Sequence, residues 1–340
     1  MTSLERVLAV LSGAPCDRRP LSLTLSLYGA RLCGAKCGAY FREPDLYLSG
    51  QEAVAARFPV DIVYAPFALA LEGEAYGSTL AWFEKAPPNV KRPLRGAAEA
   101  LLGGPKRPGQ SPSLDYIVES TRLLAERFEG EKPVAAILTA PIDLPALLIG
   151  LDAWLDALLF DEGRAKELLD LSVAHFVGMA RACFEAGAAF VASPVMLVNP
   201  KLLTRDMIGR SMLPALARAF AAAAGPLIFH HGASPIGASL ELFRELPGVA
   251  GFVIDQRDDF ALARKTIGPD RVILTGFSGP LMERCAPAIM GRLARRALDA
   301  MADDPCAVLA STAADIPWDT PPETIDAIVA EIGREAAERS

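Results

Sequence analysis

This sequence is poor in the residues that usually announce chemistry. It holds three histidines, three tryptophans and six cysteines in 340 residues. The cysteines (16, 33, 37, 183, 285, 306) are scattered through a long apolar chain, which excludes a small disulfide-stapled scaffold and makes free thiols the expectation. Cys33 and Cys37, in CGAKC, lack the second pair that would complete a tetrahedral metal set, so they read as small packed residues. No apolar run reaches the roughly 18 residues of a membrane span. In MTSLERVLAVLSGAPC, Glu5 stands where a signal peptide would be basic, so the segment reads as an amphipathic helix and the expected location is the cytoplasm. Basic excess is missing too. A net charge of −7, with no basic stripe among aromatics, argues against nucleic acid as a partner.

What is abundant is apolar. Hydrophobic residues make up 51% of the chain and charged ones 22%, enough for one large core. Eight short apolar runs read as strands: LSLTL (21–25), DIVYAPF (61–67), VAAILTA (134–140), AFVAS (189–193), PLIFHH (226–231), GFVID (251–255), VILTGF (272–277) and AVLAS (307–311). None alternates cleanly, as expected of parallel strands covered on both faces. Helical patterns separate them, among them SLDYIVESTRLLAERFEG, the long DEGRAKELLDLSVAHFVGMARACFEAGA and the closing PPETIDAIVAEIGREAAERS with prolines at its start. The expected fold is α/β: a (β/α)8 TIM barrel with an N-terminal helical extension, one domain over 1–340. An open doubly wound sheet is the alternative, but no G-x-G-x-x-G follows the first strand. Residues 84–112, rich in proline, glycine and basic side chains, read as a long loop after strand two, either a lid or a surface excursion.

Barrel chemistry belongs at the C-terminal strand ends. Those ends offer Ser26 and Tyr28, Phe67 with Glu72 and Glu74, Thr139, Ser193, His230 and His231, Asp255, Thr275 with Ser278, and Ser311, Thr312 and Asp315. The two histidines and Asp255 form the densest polar group, and an aspartate ending an apolar strand is costly to bury unpaired. His175, mid-helix in LSVAHFVGM, reads as a packing histidine without a role.

Several segments, in order, resemble the uroporphyrinogen decarboxylase superfamily, and in particular its corrinoid-dependent branch, the methylcobalamin:coenzyme M methyltransferases. ERVLAVLSGAPCDRRPL is similar to the family's opening helix and D-R-x-P entry. FALALEGEAYG resembles the methyltransferase segment after strand two, EAGAAFVASP the fourth strand, and ADIPWDTPPETIDAIV the closing segment. The departures are as informative. SLYGAR keeps only Arg31 of the decarboxylase's arginine-rich segment, with Leu27 in place of its first arginine, and Ala68 replaces its aspartate. A substrate with many carboxylates would miss those guanidinium partners, which disfavours porphyrinogen decarboxylation. The methyltransferase branch holds zinc with H-x-C-G on strand five and a late cysteine. Here those ligand positions carry Phe229, His231 and Ala314, so the usual site looks dismantled and zinc is not expected. A rebuilt metal site on His230, His231 and Asp255 or Asp315 is the alternative.

The resemblance implies methyl transfer between a small molecule and cobalamin, either free or on a corrinoid protein, since no D-x-H-x-x-G cobalamin motif occurs in this chain. Alternation along strand five puts Phe229 and His231 on one face and His230 on the other. On that register His231 points over the mouth, oriented by Asp255, and His230 supports it from the helix side. His231 or Glu74 would supply the acid, and Tyr28, Phe67, Glu72, Ser193, Phe229, Phe277, Asp315 and Trp318 would bind substrate. Two other readings stay open: a non-catalytic or divergent barrel that binds a tetrapyrrole or small ligand, and a decarboxylase of a smaller acid.

Overall fold

A computed structural model describes residues 1–198 and 202–339. Its eight sheet strands are β1 (Leu21–Ser22), β2 (Val63–Tyr64), β3 (Val134–Ile137), β4 (Phe190–Pro194), β5 (Leu227–His230), β6 (Val249–Val253), β7 (Val272–Ser278) and β8 (Ala307–Thr312). They form one parallel sheet in the order β1-β8-β7-β6-β5-β4-β3-β2. All eight expected strands are present, several shorter than their apolar runs. Helices Pro112–Arg127, Glu162–Glu185 and Pro322–Arg339 fall where the patterns put them. No helix among the described residues is long and apolar enough to cross a membrane.

The seam between β1 and β2 closes without a strand ladder. Asp61 N–H donates to the Leu21 carbonyl at 2.8 Å, and the Asp61 carboxylate accepts from Leu21 N–H at 2.8 Å. One aspartate thus stands in for strand pairing. Alternate strand residues, including Tyr64, Ile137, Ala192, Ile228, Val253 and Leu274, fill the interior, and Val7 and Val10 plug its lower end. Those two valines come from helix Ser3–Leu11, whose start is fixed by a reciprocal capping box between Thr2 and Glu5. Outward strand residues such as Val191 and Phe229 pack under the helices.

The 84–112 segment is not the plain loop its composition suggests. Thr79–Ala81 and Asn89–Arg92 pair antiparallel as a hairpin, followed by a short helix, Ala97–Leu101. The cysteines are free.

Candidate active site

The carboxyl ends of the strands surround a cavity of about 330 Å³. Phe67, Pro194, Met196, Gly232, Ala233, Ala313, Ala314 and Asp315 line it from below, and Pro87, Pro88 and Asn89 of the hairpin from the side. Phe67 and Pro194 also line a smaller space of about 20 Å³ directly beneath, inside the barrel, with His230, Tyr64, Thr24 and Ser311. The mouth is therefore mostly apolar with a few polar anchors, the usual make-up of a small-molecule site.

Strand five is where the structure corrects the sequence reading. Ile228 and His230 face the barrel interior, whereas Phe229 faces the helices, stacked on Phe243 with ring centroids 4.8 Å apart and touching Phe252. His230 is thus not behind the strand. Pairing ends at His230, and the chain then turns through Gly232 at φ 61°. Only glycine suits this turn, because a Cβ there would meet the Met196 Cα and Val195 carbonyl at 2.6 Å. The turn folds the His231 ring over the barrel, stacked on His230 at 5.0 Å.

Hydrogen bonding fixes both tautomers. His231 Nε2 accepts from Ala313 N–H at 3.2 Å, so its proton is on Nδ1, which donates to the Ser234 carbonyl at 3.0 Å. Asp255 is 3.7 Å from that Nδ1, beyond hydrogen-bond reach. Instead Asp255 accepts from Arg257 Nε at 2.7 Å and Nη2 at 2.8 Å. Burial alone would raise its carboxyl, but these Arg257 bonds hold it below the usual range. His231 is fully buried and both its ring nitrogens serve the backbone, so it props the wall formed by Ala313 rather than facing substrate. His230 Nδ1 accepts from Gly232 N–H at 3.0 Å, which leaves its Nε2–H for the small space inside the barrel. Burial depresses the basicity of both imidazoles, that of His230 strongly, with His231 adding to it.

Asp315 lines the upper cavity. The residue is partly exposed, but its carboxyl end is not: Oδ1 is buried with no hydrogen-bond partner among the described residues, while Oδ2 accepts from Leu27 N–H at 2.8 Å. Burial pushes this carboxyl well above its ordinary range, and the neighbouring N–H groups of Leu27, Ser26 and Ile316, with the Ser26 hydroxyl, offset only part of that. Burial thus favours the protonated form of Asp315, beside a cavity.

The remaining expected residues lie elsewhere. Glu72 is buried behind the wall, accepting from Thr139 N–H at 2.7 Å and Thr139 Oγ1 at 2.6 Å. Its other oxygen faces His175 Nε2 at 3.1 Å, and His175 Nδ1 faces the Lys106 carbonyl at 2.8 Å. His175 is therefore a cross-link, not a bystander. Glu74 pairs with Arg42 near the surface. Tyr28 is buried, its hydroxyl donating to the Thr320 carbonyl at 3.0 Å. Ser193 faces the helix side, its buried hydroxyl unpartnered among the described residues, and Phe277 packs into the core. Trp318 lines a neighbouring cleft beyond the hairpin. Of the twelve, His230, Phe67 and Asp315 line the mouth or the space beneath it.

Sequence reasoning missed Asp143. It is fully buried, accepts from Met196 N–H at 2.6 Å and Leu197 N–H at 2.9 Å, and so holds the β4 exit against the cavity. Burial pushes its carboxyl to about 7. A lone acid in the apolar stretch 134–150 was the available signal.

The zinc set of the resembling branch does not fit these residues. Phe229 lies on the helix side, Ala314 has no donor, and both nitrogens of His231 are engaged. Among the described residues no three His, Cys, Asp or Glu side chains converge as a metal site.

A parallel barrel with its cavity at the strand carboxyl ends defines a TIM-barrel fold. The chain belongs to the uroporphyrinogen decarboxylase (URO-D) family, whose profile matches residues 2–334. It is 25% identical over 286 residues to the methylcobamide:CoM methyltransferase MtaA of Methanosarcina barkeri, covering 81% of this chain and 82% of that relative. The same protein from strain Fusaro is 24% identical over 289 residues, covering 81% and 82%. Among solved structures, a methyltransferase from Methanosarcina mazei superposes with a TM-score of 0.84 at 20% identity, covering 98% of this chain and 99% of that one, a likeness of fold.

Proposed function

We propose that this chain moves a methyl group between a small molecule with a neutral heteroatom and a corrinoid supplied from outside the chain, free or on a carrier protein, without a thiol-activating zinc. The observation that carries the reading is Asp315, which lines an apolar cavity with no lysine or arginine among its described lining residues and whose burial favours the protonated carboxyl. When a methyl group leaves oxygen or nitrogen, the heteroatom keeps the bonding pair. A carboxylic acid beside it supplies the proton and becomes carboxylate, and in the reverse direction it takes that proton back. Such general acid help contributes roughly 10²–10⁴ in rate. The His230 Nε2–H, in the space below, is a second neutral donor that orients the substrate. Phe67 supplies an apolar wall. A methoxylated aromatic or a methylated ring nitrogen suits this set better than a thiol, which needs a base or metal to ionise it.

The same cavity argues against a decarboxylase of carboxylate-rich substrates, because no lysine or arginine is among its described lining residues. The test is incubation of the purified protein with cob(I)alamin and a panel of methoxylated aromatics and N-methyl heterocycles. Substrate-dependent formation of methylcobalamin is expected, and it should be lost in Asp315→Asn. Turnover with methyl thioethers alone, or methylcobalamin-dependent methylation of thiols alone, unaffected by Asp315→Asn, would refute the reading.

A further inference from the structure

The hairpin has two flanks, and only one of them faces the mouth. Its other flank, Trp82, Phe83 and Glu84, lines a separate cleft of about 640 Å³ together with Trp318 and the segment 34–39. That volume falls in the range of small-molecule sites. Each wall is held in place independently of any ligand. The Arg42 guanidinium lies over the Trp82 ring, 4.2 Å from its centroid, and pairs with Glu74. The Trp318 carbonyl accepts from Arg31 Nη1 at 2.7 Å. Lys85 Nζ, near the hairpin tip, pairs with Asp319 at 2.8 Å and so ties the two tryptophan walls together. The floor is made of Gly34, Ala35, Gly38 and Ala39, and a Cβ placed at Gly38 would meet no atom within 4 Å.

We propose that this cleft is a second binding site, distinct from the mouth, that takes a planar aromatic ring against Trp82 and Trp318. Rigid indoles give a flat ring stacking area at little entropic cost, and a floor of mostly small residues, with Lys36 its one long side chain, leaves the space a ring needs. The site does not depend on the methyl-transfer reading, since none of its lining residues belongs to the mouth.

Two of the three tryptophans line the cleft, whereas Trp154 is fully buried and donates to the Ile142 carbonyl, so intrinsic fluorescence reports on this site. Titration with benzimidazole should give a saturable change, and cyclohexanol, of similar size but not planar, should give none at the same concentrations. Trp318→Ala should weaken benzimidazole binding about tenfold. Gly38→Leu, which projects a side chain into open space, should block the ring while the thermal midpoint stays within a few degrees of the parent. Asp315→Asn should leave benzimidazole binding unchanged. A non-saturable response, equal affinity in a folded Gly38→Leu protein, or binding lost on Asp315→Asn alone would overturn the proposal, the last by placing the ring in the mouth.

Discussion

At the closed end of the barrel, Asp61 is fully buried and accepts from Arg6 Nη1 at 2.6 Å, Arg18 Nη1 at 2.7 Å, Ser3 Oγ at 2.8 Å and Leu21 N–H at 2.8 Å. At the open end, the carboxyl of Asp315 is buried too, yet no cation bonds to it among the described residues and one of its oxygens has no partner. The two ends use the same side chain for opposite purposes. Below, charge is buried with its counter-charges and every lone pair is used, which clamps the first helix and the β1–β2 seam. Arg19 adds to that clamp, donating to the carbonyls of Met301, Asp304 and Ala307. Above, Asp255 keeps its Arg257 partner, but Asp315, Asp143 and His230 are buried without a bonded counter-charge, and burial favours their neutral forms. A neutral acid and a neutral imidazole are reagents, whereas a paired carboxylate is a fastener.

Backbone strain follows the same division. The two non-glycine residues with positive φ among those described, Ala233 and Ala313, both at 77°, line the mouth. L-residues adopt this conformation at a cost of roughly 1–2 kcal/mol. The His231 ring braces one of them directly through the Ala313 N–H.

The largest effect that could break the comparison is on catalysis. Asp315→Asn keeps the shape and the Leu27 contact but removes the acid proton. Under the proposed reaction, turnover should fall by roughly 10²–10⁴ with the fold intact. Unchanged turnover would make Asp315 a wall residue and nothing more.

Next is the clamp. Asp61→Ala leaves the buried Arg6 with Asp17 alone, deprives the half-buried Arg18 of its carboxylate and opens the seam. Breaking a buried pair in this way costs on the order of 3–5 kcal/mol, read as a lower urea midpoint. A loss under 1 kcal/mol would show that the closed end is held by packing alone.

The histidines should then divide between the two behaviours. His231→Ala strands the Ala313 N–H and the Ser234 carbonyl, at a cost of about 2–4 kcal/mol of stability. His230→Ala should barely change stability and should raise the substrate KM, since the Nε2–H in the space beneath the cavity is gone. The opposite pattern would return His231 to the substrate.

How these roles divide was only partly legible beforehand. The eight strands could be read because parallel strands buried on both faces leave near-continuous apolar runs, and the closing helix because its prolines mark its start. The same property hid the parity of strand five. In LIFHH both faces are apolar, so nothing in the sequence says whether Phe229 or His230 turns inward. Gly232 was visible as a glycine, but its close approach to Val195 and Met196 depends on a strand that is distant in sequence. The hairpin at 79–92 was obscured because the proline, glycine and basic residues of 84–112 mark turns without saying what pairs around them. Asp315 was singled out by its place after the last strand. Its lack of a cation, which decides its chemistry, is a property of the fold.

The smallest effect tests the neutrality of Asp315 without any assay of turnover. An unfolded aspartate titrates near 3.9, whereas burial raises the folded carboxyl well above that value. Between the two values the folded protein binds one proton more than the unfolded chain. Asp315 therefore supports stability fully below about pH 4, and this support is lost as pH rises towards the folded value. Asp315→Asn has no such titration, so the variant should match the parent near pH 4 and become more stable than it at higher pH. The gap should widen by at most about 1.4 kcal/mol per pH unit. Comparing the two proteins removes the contributions of His230, His231 and Asp143, which titrate alike in both. Urea midpoints at pH 5, 6 and 7 suffice as the measurement. A variant that loses stability relative to the parent as pH rises would mean that Asp315 is ionised in the fold. The open end would then hold a paired charge like the closed end, and the contrast between the two would vanish.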